Sequence, residues 1–371
     1  MYINSLHIEQ YKILEDLKME FQIPQGNKNI VNIIAGVNGS GKTTILEWIL
    51  DRLTIANGNL DGTIIRDDII DVKKDNWVQN IYHFNKELVV NNKYTNGIHT
   101  SPRIIYIPSN MTFKYQTKSM LDTTYQFKNI VDTDSLLGNA EFFIKEYVIS
   151  KERLSSKSNP KERTKDAIDN FNSIFKDTNL ITKLIDLDIH NSNKPIFKTL
   201  NGYKITIDKL SSGEQQFYAR VVSLMILNPH NSVILIDEPE IALHPKWQSQ
   251  IMGIYSNIGN NNQFIVTTHS PYIIGTVPNK NLNFLIKKDN RIVAINNILA
   301  YGRDIEWVLQ EMGLENTRLP QVLNKILECK ELLEEDKYGE VEKCINKIES
   351  DIGNNDREVM ALRNSLEFWR E

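Results

Sequence analysis

The sequence predicts an α/β protein with a mixed, mainly parallel sheet, and three observations support this class. Apolar runs typical of buried strands alternate along the chain with helix-forming segments. The runs 233–236 and 264–266 lead directly into polar residues, as strands of an open parallel sheet do at their carboxyl edge. A glycine-rich segment, 36–43, separates another apolar run from a helical pattern. We therefore expect the functional side chains along one edge of the sheet.

The remaining elements follow in chain order. Alternating apolar positions predict an amino-terminal hairpin over 3–14 and 17–23. A buried strand over 30–35 and a helix over 44–53 flank the glycine-rich segment. After a largely helical stretch, strands resume at 195–210, and an edge hairpin is expected over 282–296. Apolar positions at three and four spacing then predict four helices, at 303–312, 319–335, 338–352 and 356–369.

These patterns divide the chain into four parts. Residues 1–110 and 196–300 form the two halves of the core domain, and residues 111–195 form a helical lobe inserted between them. Residues 301–371 form a helical appendage, expected to be a scaffold or a docking surface for a partner. This appendage is acidic, with 10 Lys and Arg against 17 Asp and Glu.

Composition indicates a globular cytoplasmic protein without a membrane anchor. Hydrophobic residues make up 41% and charged residues 24% of the chain, and no apolar run is long enough to span a bilayer. The amino terminus begins with a strand pattern instead of a signal segment. Cys329 and Cys344 lie in helical patterns, so we expect a reducing compartment, no disulfide and no metal site at these residues.

The glycine-rich segment matches the phosphate-binding pattern G-x-x-x-x-G-K-[ST]. Glycines allow backbone N–H groups to approach an anion, and the following helix directs its positive dipole end to the same place. Lys42 is expected to contact the β- and γ-phosphates of ATP, and Thr43 to bind Mg²⁺. The alternative is a glycine-rich turn that contains Lys-Thr by chance. The nucleotide-binding candidates here are Gly36, Asn38, Gly39, Ser40, Gly41, Lys42, Thr43 and Thr44.

Two acids and a histidine follow the buried strands. Asp237 is expected to bind Mg²⁺, and Glu238 to orient or deprotonate the attacking water. The alternative is that both carboxylates only cap the next helix. His269 leaves its strand in the same way, but a lone histidine there is more often structural, so its predicted role depends on its neighbours. Lys42, Glu238 and His269 are thus the catalytic candidates.

The run LSSGEQQ, residues 210–216, completes a resemblance to the ATP-binding-cassette ATPases. Ser211 and Gly213 match the signature serine and glycine, which in that family close over the γ-phosphate bound to a second subunit. A capped helix start is the alternative for the isolated string. Ser212 and Glu214 depart from the transporter form and resemble the RecF and SMC branch. The resemblance implies an ABC-type phosphate-loop ATPase that forms a homodimer, or a higher-order assembly, around Mg-ATP.

Three further residues follow from the same resemblance. Lys12, at the end of the first strand, corresponds to a basic residue that often lies near the nucleotide, although it is equally compatible with a solvated position. Gln116 is the nearest candidate for the family's glutamine loop. Trp247 lies in a segment that crosses the dimer interface in this branch, or it only packs there.

The tail and overall size resemble the ATPases of Septu-type and retron-associated anti-phage defence systems. That resemblance implies a partner nuclease or toxin encoded nearby, with an HNH nuclease favoured. This chain carries no HNH pattern itself, so a partner is expected to do any cutting. One alternative is a RecF-like repair ATPase that acts on DNA; another is an ATP-sensing scaffold with vestigial hydrolysis. The segment 151–165 has six basic and two acidic residues, which could contact DNA or RNA but more often indicate a solvated loop.

Overall fold

The computed structural model describes the greater part of the chain. The described residues are 2–55, 69–73, 94–95, 98–99, 104–109, 130–131, 140–176, 180, 182–227, 229–241, 243–296, 298–313 and 318–370. Gln116 lies outside them, so its role in a glutamine loop stays a prediction.

The first half of the chain contains the amino-terminal hairpin and the glycine-rich segment. Its elements are β1 (Tyr2–Tyr11), β2 (Leu14–Glu20), β3 (Ile30–Gly36), α1 (Lys42–Ile55), β4 (Ile69–Lys73), β5 (Tyr94–Thr95), β6 (Ile98–His99), β7 (Ile104–Ile107), β8 (Ile130–Val131), α2 (Ala140–Leu154) and α3 (Pro160–Ile174). β1 and β2 pair antiparallel, which confirms the predicted hairpin.

The second half contains the remaining strands and the helical tail. Its elements are β9 (Thr182–Asp188), β10 (Lys194–Thr199), β11 (Lys204–Thr206), α4 (Ser212–Leu227), β12 (Val233–Asp237), α5 (Pro245–Tyr255), β13 (Gln263–Thr268), α6 (Pro271–Ile274), β14 (Leu282–Lys288), β15 (Arg291–Asn296), α7 (Ile305–Glu311), α8 (Pro320–Glu334), α9 (Tyr338–Ile352) and α10 (Arg357–Arg370).

Seven of the described strands form the main sheet, in the order β15-β14-β3-β13-β12-β7-β8. Neighbours from β14 to β8 run parallel, whereas β15 pairs antiparallel with β14 as the predicted edge hairpin. β12 and β13 are buried along their whole length, as expected for parallel strands covered on both faces. The structure confirms an α/β fold with a mixed, largely parallel sheet.

The register of the central strands brings their carboxyl ends to one edge. Asp237 at the end of β12 pairs with Thr267 of β13, and Thr268 pairs with Ala35 near the end of β3. Helix α1 packs its fully buried Trp48 into an apolar cluster that includes β1, β2 and the main sheet. This packing holds the start of α1 at the same edge.

The stretch predicted as a helical lobe, residues 111–195, contains strands, among them β9, as well as helices. β9, β10 and β11 form an antiparallel sheet beside α2 and α3. β9 begins at Thr182, so the expectation that strands resume only at residue 195 was wrong. The alternating burial along β9 is that of a strand with one covered face, and its short polar sequence hid this pattern.

The chain divides into two compact units, Met1–Val308 and Leu309–Glu371. In the second unit, α8, α9 and α10 bury an apolar cluster and agree closely with the predicted helices. Cys329 and Cys344 are joined by a disulfide there, so the expectation of no disulfide was wrong. The two cysteines come from facing positions of α8 and α9, which only the packing of these helices could reveal. No helix in the described ranges is both long and apolar enough to cross a membrane.

Candidate functional site

The glycine-rich segment forms a tight loop between β3 and α1. Gly41 has φ +86°, and a Cβ atom there would lie 2.8 Å from Leu14 Cδ2, so both conformation and space require glycine. At Gly36 a Cβ atom would lie 2.6 Å from Ser40 Oγ. The Ser40 hydroxyl is buried, without a hydrogen-bond partner among the described residues. The loop therefore offers a close backbone approach and an unused hydroxyl, which fits a phosphate ligand.

The Lys42 side chain occupies the inside of this loop. Its ammonium donates hydrogen bonds to the carbonyl oxygens of Gly36, at 3.0 Å, and Val37, at 3.1 Å. The side chain is only 4% exposed, and Nζ lies 3.9 Å from Glu238 Oε1. Burial lowers the pKa of Lys42, although Glu238, Glu240 and Asp237 oppose that shift. A buried cation with weak partners is well placed to bind an anion.

Thr43 and Asp237 form a hydroxyl–carboxylate pair next to the loop. Thr43 Oγ1 lies 3.1 Å from Asp237 Oδ1 and 3.0 Å from Oδ2. Thr267 Oγ1 also donates to Asp237 Oδ1, so the buried carboxylate is held from a neighbouring strand. Hydroxyl and carboxylate oxygens are the ligands that Mg²⁺ prefers, and the pair fits that ion. Thr267 was missed as a site residue, although it lies only two residues before His269.

Glu238 begins a sharp turn directly after β12. Its φ is +43°, a left-handed conformation that costs a non-glycine residue on the order of 1 kcal/mol. Its backbone N–H donates to the Thr267 carbonyl oxygen at 3.0 Å, which holds the turn. The carboxylate remains partly exposed, with Oε1 3.3 Å from His269 Nδ1. The turn thus presents the Glu238 carboxylate between Lys42 and His269.

His269 meets two carboxylates at the end of β13. Its Nδ1 lies 3.3 Å from Glu238 Oε1 and also 3.3 Å from Glu240 Oε1. The ring is 42% exposed, so part of it is open to solvent. Glu240 was missed as a site residue, because only the turn after β12 brings it to β13.

The signature segment forms a capped helix start, with α4 beginning at Ser212. Ser211 Oγ donates to Glu214 Oε2 at 2.8 Å. The Ser211 N–H donates to the same carboxylate oxygen, and the Glu214 N–H donates to Ser211 Oγ, both at 3.3 Å. This reciprocal pair is a capping box. Glu214 is buried, and its other oxygen accepts a bond from Thr182 Oγ1. Within one chain, the Ser211 side chain therefore bonds to its own helix and not to the phosphate loop.

The other predicted residues lie around this site. Lys12 has φ +52° at the turn between β1 and β2, and its ammonium lies 2.6 Å from Glu47 Oε2 of α1. The Trp247 ring stacks on Phe217, with centroids 5.6 Å apart, so it packs within its own chain. Thr44 is the third residue of α1, while Asn38 and Gly39 are exposed at the loop tip.

Known proteins are similar to this chain in sequence. The Septu protein PtuA of Bacillus thuringiensis is 25% identical over 380 residues, covering 94% of this chain and 93% of that protein. The retron Ec83 probable ATPase of Escherichia coli is 27% identical over 265 residues, covering 66% of this chain. The matched part is 46% of that relative, so the chain spans about half its length.

Among solved structures, an SmcHead bound to the C-winged helix domain of ScpA matches 81% of this chain and 98% of its own. The identity is 14% and the TM-score 0.43.

The retron and Septu relatives confirm the predicted resemblance to defence-associated ATPases. A family profile described as "AAA domain, putative AbiEii toxin, Type IV TA system" matches residues 75–275. Because that match covers more than half of the chain, this protein belongs to that family of AAA-domain proteins.

Proposed function

We propose that this protein hydrolyses ATP with Mg²⁺ and uses its nucleotide state to control a partner nuclease or toxin in anti-phage defence. One observation carries the proposal. The neighbouring strands β3, β12 and β13 end at one edge, where a buried lysine, a hydroxyl–carboxylate pair, a second carboxylate and a histidine meet. This set of groups is the one that phosphoryl transfer to water requires.

Each group has a role that follows from its position. Lys42 would exchange its two carbonyl partners for phosphate oxygens, which relieves part of the cost of burying its charge. Thr43 and Asp237 would hold Mg²⁺, which neutralises charge on the phosphates. Glu238 orients the attacking water, and its strained turn places the carboxylate beside Lys42. His269 stands next to Glu238, where its exposed ring faces the terminal phosphate.

The signature segment supports a homodimer. Ser211 and Gly213 lie at the start of the 16-residue helix α4, where backbone N–H groups and the helix dipole favour an anion. The side chain of Ser211 bonds to Glu214 of its own helix, and in this proposal a second copy brings the segment to the nucleotide. Each ATP would then lie between the phosphate loop of one protomer and Ser211 of the other.

The partner is proposed from the relatives and from the tail. Two of the relatives are a Septu protein PtuA and a retron probable ATPase, and this chain contains no HNH pattern of its own. The acidic unit Leu309–Glu371 offers a surface on which such a nuclease or toxin would dock. ATP binding closes the dimer and loss of the γ-phosphate reopens it, so the partner receives a conformational signal.

The test combines phosphate release with the oligomeric state of the purified protein. Wild type is expected to release phosphate and to dimerise with ATP. Glu238→Gln is expected to lose phosphate release but to keep the ATP-dependent dimer. Light scattering measures the oligomeric state. Ser211→Arg should bind ATP as a monomer, because the guanidinium enters the space that the second copy's γ-phosphate needs.

The outcomes separate this proposal from a sensor without hydrolysis. If wild type and Glu238→Gln release no phosphate while ATP still dimerises both, the protein is an ATP-sensing scaffold. If a nonhydrolysable analogue leaves the protein monomeric at every concentration and Ser211→Arg behaves like wild type, the proposed dimer is wrong.

A further inference from the structure

A buried carboxylate lies directly behind His269. The side chain of Glu240 is only 4% exposed, although it comes two residues after the partly exposed Glu238. Its Oε1 accepts hydrogen bonds from Thr268 Oγ1 at 2.6 Å and from the His269 backbone N–H at 2.9 Å. The same oxygen lies 3.3 Å from His269 Nδ1. One oxygen atom thus contacts both the backbone and the ring of the histidine.

The second carboxylate oxygen of Glu240 makes burial of this side chain energetically unfavourable. Oε2 is buried and has no hydrogen-bond partner among the described residues. An amide or apolar side chain in this place would avoid much of the cost of burying a negative charge. Because helix capping and strand pairing do not require a charge here, the carboxylate points to a functional reason for its presence.

A single arginine holds the turn that carries Glu240, by hydrogen bonds to the residue before and the residue after it. Arg220 is 0% exposed, and its guanidinium donates to the carbonyl oxygens of Pro239, at 2.9 Å, and Ile241, at 3.3 Å. These two residues flank Glu240 in the chain. The carboxylate therefore has little freedom to move away, and any group bonded to it is positioned by α4 through Arg220.

This arrangement selects one tautomer of His269. Nδ1 is close to two carboxylate oxygens, which accept hydrogen bonds and cannot donate them when ionised. The proton of a neutral ring then lies on Nδ1, and Nε2, on the opposite side of the ring, faces away from both acids. Without Glu240, the Nδ1–H group would bond to Glu238 alone and draw that carboxylate away from water.

We propose that Glu240 is a positioning residue, whose buried carboxylate fixes the ring of His269 so that Nε2 faces the terminal phosphate and Glu238 stays available for water. The inference rests on the proposed ATPase function, because it assigns Glu240 a role through two residues of that site. Glu240 itself contacts neither substrate nor water in this arrangement.

The first test is a double-mutant cycle on phosphate release. Glu240→Ala is expected to lower kcat by on the order of 10–100-fold with little change in KM, since the nucleotide contacts of the loop remain. Glu240→Gln keeps an acceptor oxygen and should recover part of that loss. In a His269→Ala background, Glu240→Ala should cost almost nothing more. Equal fold losses in the two backgrounds would overturn the proposal, as would wild-type kcat in Glu240→Ala.

The second test does not depend on hydrolysis. In protein labelled with ¹⁵N-histidine, the ring signal missing from His269→Ala identifies His269. Wild type is expected to show a protonated Nδ1, and Glu240→Ala a mixture of tautomers, with Glu240→Gln between them. The same tautomer in wild type and Glu240→Ala would overturn the proposal even if the ATPase proposal holds. If wild type releases no phosphate, the proposed function fails while this measurement still decides the role of Glu240.

Discussion

The two compact units differ in what they bury. In Met1–Val308 the interior includes charged side chains, among them Lys42, Arg220, Asp237 and Glu240. Among the described residues of Leu309–Glu371, every buried side chain is apolar or a cysteine. Burying charge is unfavourable unless it is well paired, so a fold that needs only stability avoids it. The first unit thus buries charges that stability alone would not favour, which fits the proposed site, whereas the second unit is organised by packing.

Two ion pairs of the second unit are exposed at both partners. Lys325 pairs with Asp351 and Lys330 with Glu358, and all four side chains are more than one third exposed. Exposed pairs of this kind contribute little to stability. The stability of the second unit should therefore depend on its apolar cluster and its disulfide. Four measurements test this difference between the two units.

The largest effect is expected from removing a buried charge from the first unit. Lys42→Met should lower phosphate release by on the order of 10²–10³-fold, because a preorganised donor to the phosphates is lost. The folded protein should be no less stable without nucleotide, since the buried ammonium is costly. Lys337→Met, which removes an exposed ion pair with Glu335, is the matched control and should leave release unchanged. Normal turnover in Lys42→Met would contradict the assignment of the loop.

Truncating a core side chain of the second unit should lower stability and leave phosphate release unchanged. Ile345 is fully buried between the helices of the second unit, and Ile345→Ala should lower its free energy of unfolding by about 2–5 kcal/mol. Chemical denaturation followed by circular dichroism measures this loss, and phosphate release should stay at the wild-type level. The neighbouring exposed Lys347 provides the control, because Lys347→Ala should change stability by about 0.5 kcal/mol or less. An equal loss in both variants would show that packing does not dominate this unit.

The disulfide should contribute a comparable or slightly smaller amount to the free energy of unfolding of the second unit. It closes a loop with a sequence separation of 15 residues, for which the chain-entropy treatment gives about 3 kcal/mol. Dithiothreitol should therefore lower the unfolding midpoint of the second unit in wild type and have no effect on Cys344→Ser. Alkylation followed by mass spectrometry checks the bond directly. If both cysteines react with iodoacetamide without reductant, no bond joins them in solution.

The smallest effect is expected at acidic pH. Hydrogen bonds from Arg318 hold the pKa of Asp356 below its usual 3.8. Because the folded pKa is depressed, this stabilisation is complete above pH 3.8 and is lost as the pH falls through the folded value. Asp356→Asn keeps an oxygen for the Glu358 N–H but removes the charge. It should lower stability by about 1 kcal/mol or less at neutral pH and by less near pH 3. An identical loss at both pH values would exclude the ion pair as the cause.

Local patterns predicted much of the fold and part of the site. The helix pattern at 338–352 coincides with α9, and the pattern at 319–335 extends one residue beyond α8 at each end. The apolar run before Asp237 predicted β12, since a buried parallel strand is continuous in sequence. The strand β9 was missed because its four polar positions resemble a solvated segment.

Long-range contacts could not be predicted in the same way. Thr267 and Thr268 look like ordinary strand residues, yet their hydroxyls bond to Asp237 and Glu240, about thirty positions earlier in the chain. The capped helix start at Ser211 was weighed from the sequence, but the bond from Thr182 Oγ1 to Glu214, 32 positions apart, was not. Such roles depend on strand order and on turn geometry, neither of which is written in local periodicity.

The sequence alone determined the chemical groups of this protein: a glycine loop with Lys42 and Thr43, an acidic strand end and a histidine strand end. These are encoded in a few consecutive residues, because a tight phosphate loop and a buried strand each require particular neighbours. Only the tertiary structure decided that Asp237 accepts a hydrogen bond from Thr267, that Glu240 contacts His269, and that Cys329 forms a disulfide with Cys344. These contacts exist because separate strands and helices pack side by side, and that packing is a property of the whole chain.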